Sequence, residues 1–198
     1  METALGVAIG IGLAAAAGFR VFVPLLVLSI AAVTGHLNLS PPFEWAGTYP
    51  ALVAFATATA VEVGAYYVPW LDHLLDVVAT PLAVLAGVVA SAAVMTDVPG
   101  ILKWGLALIA GGGVAGVVQG ATVLARLKSS LATGGLANPL VATVELFGSV
   151  LTAVLALVIP VLVLLLVAAA CAGVFIASGR FLFGHPKDAP PAPPPAFP

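Results

Sequence analysis

Five long apolar stretches make up most of this chain and restrict what it can fold into. They are residues 4–34, 51–71, 77–96, 101–125 and 139–178. A helix that crosses a bilayer needs about 20 apolar residues at about 1.5 Å of rise each, so the second, third and fourth stretches each suit one crossing. The runs are continuous, whereas the strands of a membrane barrel alternate apolar and polar residues. The sequence therefore predicts an all-α membrane protein surrounded by a lipid bilayer.

The composition excludes most soluble classes of protein. The chain is 62% hydrophobic and 7% charged, whereas soluble domains are roughly 45–50% apolar and about 25% charged. A soluble fold of 198 residues could not hide that much apolar surface. With a net charge of −2 there is no basic patch for nucleic acid, which we do not expect as a partner. Catalytic and nucleotide-binding motifs are missing from the sequence, so we expect neither an enzyme nor a cofactor.

The first and last stretches are longer than one crossing requires. As a straight helix the last would be about 60 Å long, twice the hydrocarbon thickness of about 30 Å. It must bend, break or re-enter, and Pro160 or the Gly148–Ser149 pair offers a place to do so. We predict a bundle of five to six transmembrane helices with room for re-entrant half-helices. Whether residues 139–178 cross once or twice stays open.

The domain organisation follows from the proline content. We predict a single helical transmembrane domain over residues 1–182 and a disordered proline-rich tail over residues 183–198, which either binds a protein partner or is simply unstructured. No basic residue precedes the first stretch, so we expect it to be retained rather than cleaved. Arg180 and Lys187 place the C-terminus in the cytoplasm by the positive-inside rule. Arg126 and Lys128, in the loop after the fourth stretch, are expected on the same side.

Glycines recur at four-residue spacing in two stretches, where they share a helix face. They are Gly6, Gly10 and Gly18 in the first stretch and Gly112, Gly116 and Gly120 in the fourth. Such ridges let helix backbones approach closely in lipid, which predicts helix packing; the alternative is a narrow glycine-lined path.

Two further similarities between the halves of the sequence indicate a weak internal repeat. Each glycine ridge runs into an arginine, Arg20 or Arg126, and an Ala-Thr pair precedes both Glu62 and Glu145. Many transporters are built from such repeats.

Arg20, Glu62 and Glu145 are charged residues inside apolar stretches. An ionised group at the bilayer centre costs from ~3 to more than 10 kcal/mol unless it is paired or faces water. Arg20 stays charged and therefore needs a partner, for which Glu62 and Glu145 are the candidates. The pairing is either a structural pin or a working site that binds an anion at Arg20 or carries a proton or cation at a glutamate.

Two segments carry signals for broken helices. Gly18 and Pro24 flank Arg20, and broken helices are tolerated in membranes only around a cavity or inside protein. Gly134 and Gly135 form a loop before Asn138 and Pro139, which suit the N-cap and first turn of a helix. This second segment is either an ordinary cap at the membrane surface or a gate or anion cradle.

The segment that follows Pro69 contains a weak metal-site pattern. Asp72 and Asp76 share a helix face and could hold a hard cation, although acidic residues in a first turn also favour the helix dipole. Tyr66, Tyr67 and Trp70 are interpreted as aromatic residues at the membrane interface.

These motifs together resemble a known family. Gly18-Phe19-Arg20 with Pro24, then Glu62, Pro69, Asp72 and Asp76, then Gly134 to Pro139 and Glu145 are similar to an uncharacterised bacterial membrane family, domain of unknown function 4126. The resemblance covers roughly residues 4–170. It implies a small polytopic inner-membrane protein and supplies no activity.

The leading functional hypothesis is a small-solute or ion transporter or channel. Arg20, Glu62 and Glu145 would form its polar centre, with Asn138, Gly134 and Gly135 as gate or cradle. So small a chain would need to form a homo-oligomer to enclose a pathway. The alternative is a membrane scaffold or accessory subunit that transports nothing.

Overall fold

The described part of the chain is built entirely from helices. The computed structural model describes residues 2–183, apart from the side chains of residues 2, 69–74, 76, 178 and 180–183. Its helices are α1 (Glu2–Phe19), α2 (Phe22–Val33), α3 (Tyr49–Ala65), α4 (Pro69–Val94), α5 (Gly100–Leu106), α6 (Gly113–Thr133), α7 (Asn138–Val158) and α8 (Pro160–Phe183). A 3₁₀ segment, Pro41–Gly47, precedes α3, and a π-helical segment, Ala107–Gly112, joins α5 to α6. The proposed tail beyond residue 183 lies outside the described residues.

Four helical segments in residues 2–183 are long and apolar enough to cross a membrane. They are Val77–Val94, Gly100–Thr133, Asn138–Val158 and Pro160–Ala177. Three shorter apolar helices accompany them: Thr3–Phe19, Phe22–Val33 and Tyr49–Ala65. The predicted all-α class is confirmed, while the count of five to six crossings stays a prediction.

Helix α1 lies at the centre of the bundle and packs against α4, α6, α7 and α8. Its residues from Leu13 to Ala17 are almost completely buried. Four of those five side chains are alanines, so α1 has a narrow cross-section and four neighbours can reach its backbone. Serine hydroxyl groups bind that backbone from two sides: Ser91 donates to the Gly10 carbonyl at 2.9 Å and Ser149 to the Ala16 carbonyl at 2.9 Å.

The first glycine ridge packs as predicted. A Cβ atom on Gly6 would lie 2.9 Å from the Val94 carbonyl oxygen, and one on Gly10 would lie 3.0 Å from Ser91 Cα. A Cβ on Gly18 would lie 2.6 Å from the Ala115 carbonyl oxygen on α6. The glycine ridge therefore allows both α4 and α6 to pack closely against α1.

The second ridge packs over only part of its length. A Cβ on Gly112 would lie 2.9 Å from Val88 Cγ2, and one on Gly116 would lie 3.4 Å from Val84 Cγ2. Gly120 is exposed and has nothing within 4 Å, so its predicted packing role is wrong. Because a turn holds 3.6 residues, each four-residue step rotates the ridge by about 40°, which carries Gly120 away from α4.

We expect Gly18→Ala to destabilise the bundle by about 1–3 kcal/mol, because the added Cβ meets a backbone oxygen that cannot rotate away. The measurement is the free energy of unfolding of the purified protein in detergent. Gly64→Ala in α3 is the matched control, since a Cβ there meets nothing within 4 Å. The control should be neutral or gain up to about 1 kcal/mol from helix propensity. Equal stability of the two variants would contradict the tight α1–α6 contact.

A sharp turn at Arg20 separates the first two helices. The predicted break at Arg20 is present, since α1 ends at Phe19 and α2 begins at Phe22. Helix α2 runs back along α1, and Val27 and Ile9 line one cavity.

The last apolar stretch is also broken into two helices. The break is at Ile159, just before Pro160, and the helix continues unbroken through Gly148–Ser149. Ala156 and Val163 both approach Gly12 of α1, whereas Glu145 and Cys171 line one cavity farther along. Helices α7 and α8 are therefore antiparallel, and the chain turns back on itself within this stretch.

Candidate functional site

Five side chains meet where α1 ends. Arg20 lies in the turn between α1 and α2, Glu62 is on α3, Tyr66 directly follows α3, Arg126 is on α6 and Glu145 is on α7. All are buried, with relative exposures of 2%, 8%, 4%, 4% and 5%. We call these five residues the polar cluster.

Glu145 is shared by two arginines. Arg126 binds its carboxylate through two nitrogens, with Nε donating to Oε1 at 3.0 Å and Nη2 donating to Oε2. Arg20 Nη2 lies 3.4 Å from Oε2 and donates to the Ala142 carbonyl at 2.8 Å. A forked guanidinium on a carboxylate is among the strongest polar contacts in proteins. Arg20 therefore pairs with Glu145, one of its two predicted candidate partners.

Glu62, the other candidate partner of Arg20, instead binds backbone N–H groups. Its Oε1 accepts a hydrogen bond from the Val21 backbone N–H at 2.8 Å, and its Oε2 accepts one from Phe22 N–H at 3.0 Å. The first N–H groups of a helix have no partner within the helix. The carboxylate therefore caps α2 from another helix and compensates the positive end of its dipole.

Tyr66 lies between the two arginines. The guanidinium carbon of Arg20 is 3.8 Å from the centroid of the Tyr66 ring, and that of Arg126 is 4.0 Å away. A ring face attracts cations, and more strongly when water is excluded. The interpretation of Tyr66 as an interfacial aromatic is wrong, because its position one helical turn after Glu62 directs it into the cluster. Tyr67 is exposed, and its hydroxyl lies 2.9 Å from Thr143 Oγ1.

Arg126 was expected in a loop facing the cytoplasm, and that prediction is wrong. The residue lies in α6 and is buried, whereas Lys128 on the same helix is exposed. A signal for it exists in the sequence: Gln119, Thr122 and Arg126 have the spacing of one helix face, and all three are buried. That polar face indicates that the Arg126 side chain is directed into the bundle.

Arg20 retains two nitrogens without a partner. Its Nε and Nη1 are buried and make no hydrogen bond, although Arg20 as a whole is 2% exposed. A guanidinium has five N–H donors in a fixed plane and cannot lose its charge. A buried donor left unsatisfied costs about 1–3 kcal/mol, and more when it is charged. The N–H groups on Nε and Nη1 point in different directions from the guanidinium, and either can donate to a small anion or to water.

The glycine loop has the predicted backbone, but Asn138 does not act as predicted. Gly134 and Gly135 have φ values of 62° and 88°, a left-handed conformation that favours glycine. Asn138 begins α7 instead of capping it with its side chain, and the N-cap is Ala137. The amide is buried against α6, where Nδ2 donates to Ser130 Oγ at 3.0 Å. The gate or cradle role of these residues stays a prediction.

The weak metal prediction cannot be placed on the structure. The side chains of Asp72 and Asp76 lie outside the described residues. Among the residues whose side chains are described, no group of three or more His, Cys, Asp or Glu residues could hold a metal ion.

Two apolar cavities border the polar cluster. One of about 500 Å³ lies between α6, α7 and α8 and has Glu145 in its wall. The other, of about 290 Å³, lies between α3, α4 and the start of α2, and is bordered by Glu62 and Tyr66. The cluster thus has an apolar cavity beside each of its two carboxylates.

This combination defines an all-helical protein whose apolar helices suit a lipid bilayer and enclose a charged centre. The chain belongs to the family described as domain of unknown function (DUF4126), whose model matches residues 7–180 and so includes the whole polar cluster. No curated protein and no solved structure matches the chain.

Proposed function

We propose that the protein is an ion channel or small-solute transporter of the bacterial inner membrane, and that Arg20 binds a small anion. The observation that carries the proposal is that two N–H-bearing nitrogens of Arg20, Nε and Nη1, are buried and have no acceptor. Two charged donors are buried in an apolar protein, within a cluster that otherwise satisfies its carboxylates. If Arg20 only linked helices to one another, all of its N–H groups could be hydrogen-bonded within the protein.

The electrostatics of the described cluster suit a transient anion. Arg20 and Arg126 carry two positive charges, and Glu62 and Glu145 carry two negative charges, so the four balance. A balanced cluster avoids the penalty of an isolated charge in the membrane. An anion that accepts from Nε or Nη1 of Arg20 is held by a hydrogen bond rather than by a large net charge, which allows it to leave again.

Location also supports the proposal. The turn at Arg20–Val21 separates two apolar helices, and the backbone N–H groups of Val21 and Phe22 donate to Glu62. Irregular backbone at membrane depth is tolerated where protein surrounds it or a cavity adjoins it.

The wider setting is proposed on the sequence evidence. The C-terminus faces the cytoplasm, and several copies assemble around a pathway that one chain of this size does not enclose. The activity is movement of a solute and includes no chemical reaction.

Substituting Arg20 with lysine tests the proposal. Lysine keeps the positive charge near Glu145 but has one nitrogen in place of the fork, so the free donors are lost. We expect Arg20→Lys to lower the flux of chloride, nitrate or formate into liposomes at least tenfold. Glu44→Gln, at an exposed position in the 3₁₀ segment, is the control and should keep wild-type flux.

The outcome separates the alternatives. Unchanged anion flux in a folded Arg20→Lys variant would reject Arg20 as the binding group. No flux from the folded wild type, over a panel of anions, cations and protons, would reject transport itself.

A membrane scaffold is the second candidate function, and one observation favours it. Glu62 fixes the start of α2, and Glu145 fixes α7 to Arg20 and Arg126, which are the contacts expected of packing pins. In that case the chain would serve as an accessory subunit, and a partner protein should co-purify with it through the proline-rich tail.

A further inference from the structure

The cavity between α6, α7 and α8 has walls suited to a hydrocarbon chain. Its volume of about 500 Å³ falls in the range of small-molecule sites. Apolar residues from all three helices line it, among them Val118, Ala121, Ala125, Val144, Ala170 and Val174. The polar groups in its wall are Thr122 and Glu145.

The carboxylate in the wall does not repel an apolar occupant. Both oxygens of Glu145 bind arginine nitrogens, so its charge is compensated within the polar cluster. Thr122 donates its hydroxyl to the Gln119 carbonyl at 2.9 Å, which satisfies that group within α6. The cavity therefore offers few free polar groups to a polar ligand, whereas its apolar walls suit a chain of methylene groups.

The cavity lies in the part of the bundle that faces lipid. Only 6% of the Pro160–Ala177 segment of α8 is buried, and Ala170 and Val174 belong to that segment. Around such a helix the abundant apolar molecule is the acyl chain of a lipid, which is as apolar as leucine.

A basic residue lies on the same face of α6 as two residues that line the cavity. Ala121, Ala125 and Lys128 have the four- and three-residue spacing of one face of α6. Lys128 lies about 4.5 Å farther along the helix than Ala125, near the end of α6, and is exposed. A lysine in this position extends its ammonium group to the headgroup level, where it attracts lipid phosphate.

We infer that the cavity binds one acyl chain of an acidic phospholipid, and that Lys128 binds the phosphate of the same lipid. The site is separate from Arg20, because neither arginine of the polar cluster is among the residues that line the cavity. The lipid would add a contact between α6, α7 and the mostly exposed α8.

Filling the cavity is the first test. We expect Ala170→Phe to place a ring in the space of the chain, whereas Ala169→Phe places the same ring on the exposed face of α8. Native mass spectrometry of the full chain in detergent with phosphatidylglycerol measures lipid retained per protein. Wild type and Ala169→Phe should retain one lipid, and Ala170→Phe should retain at least tenfold less.

The headgroup is tested separately. Wild type should prefer phosphatidylglycerol to phosphatidylcholine at least fivefold, and Lys128→Gln should lose that preference while still retaining a lipid. Equal retention in Ala170→Phe and Ala169→Phe would overturn the chain site. A preference that survives in Lys128→Gln would overturn the phosphate contact.

A second copy of the protein is the competing occupant. Cys171, the single cysteine of the chain, lines the cavity and reports on that arrangement. Efficient oxidative crosslinking of Cys171 between two chains in liposomes would place protein in the cavity and overturn the proposal. The expected result is that no Cys171 disulfide forms between chains, which is compatible with assembly of copies through another face.

Discussion

Removing the carboxylate at position 145 should unfold the bundle or weaken it severely. In Glu145→Leu the two guanidiniums of Arg20 and Arg126 stay buried and lose the group that both of them bind. Breaking a buried ion pair by removing one partner costs about 3–5 kcal/mol, and here two cations are affected. The free energy of unfolding in detergent, measured by circular dichroism, should fall by at least that amount.

A second variant separates charge from shape. Replacing all three groups, as Arg20→Met, Arg126→Met and Glu145→Leu together, removes the unpaired arginines but leaves the Glu62 carboxylate held only by its two backbone N–H groups, so it should recover part of the lost stability. Glu44→Gln is a matched control, because Glu44 is exposed in the 3₁₀ segment and should be neutral. A triple variant as unstable as the single one would mean that the cluster stabilises the fold by more than charge pairing.

The triple variant also informs the function. If it folds and still moves anions, Arg20 does not bind them, and the cluster is a packing device. If it folds and all flux is lost while Glu44→Gln keeps it, the cluster contributes to both the fold and the pathway.

The sequence predicted local features of the fold better than it predicted partners. Continuous apolar runs identified the helical membrane class, and Gly18 with Pro24 identified the break at Arg20. Both are properties of a few neighbouring residues. The choice between Glu62 and Glu145 as the partner of Arg20 depends on how α3 and α7 approach the end of α1. That arrangement cannot be predicted from a pattern of neighbouring residues.

Arg126 and Tyr66 show where a linear interpretation fails. Each lies toward the end of an apolar stretch, where charges and aromatic rings are typical of the membrane interface. In the structure α6 extends seven residues beyond Arg126 to Thr133, so the arginine stays within the bundle. The spacing of Gln119, Thr122 and Arg126 was the available signal, and it indicates a buried polar face only when helix length is known.

The other large effect is expected at Glu62. Glu62→Leu should leave the Val21 and Phe22 N–H groups without the acceptors that now lie 2.8 Å and 3.0 Å away. Each unsatisfied buried donor costs about 1–3 kcal/mol, so we expect a loss of about 2–6 kcal/mol in the free energy of unfolding. Because both bonds hold the start of α2, hydrogen exchange should accelerate in Phe22–Val33 more than in α6 or α8.

Glutamine at position 62 gives a graded comparison. In Glu62→Gln one oxygen still accepts one of the two N–H groups, while the amide nitrogen faces the other donor, so the loss should fall between wild type and Glu62→Leu. Val61→Leu, at an exposed neighbouring position, should leave both stability and exchange unchanged. Uniform acceleration of exchange over the whole bundle would mean that Glu62 stabilises the fold globally. Acceleration confined to α2 would establish it as the cap of that helix, and would make the α1–α2 turn the element that moves when the carboxylate is lost.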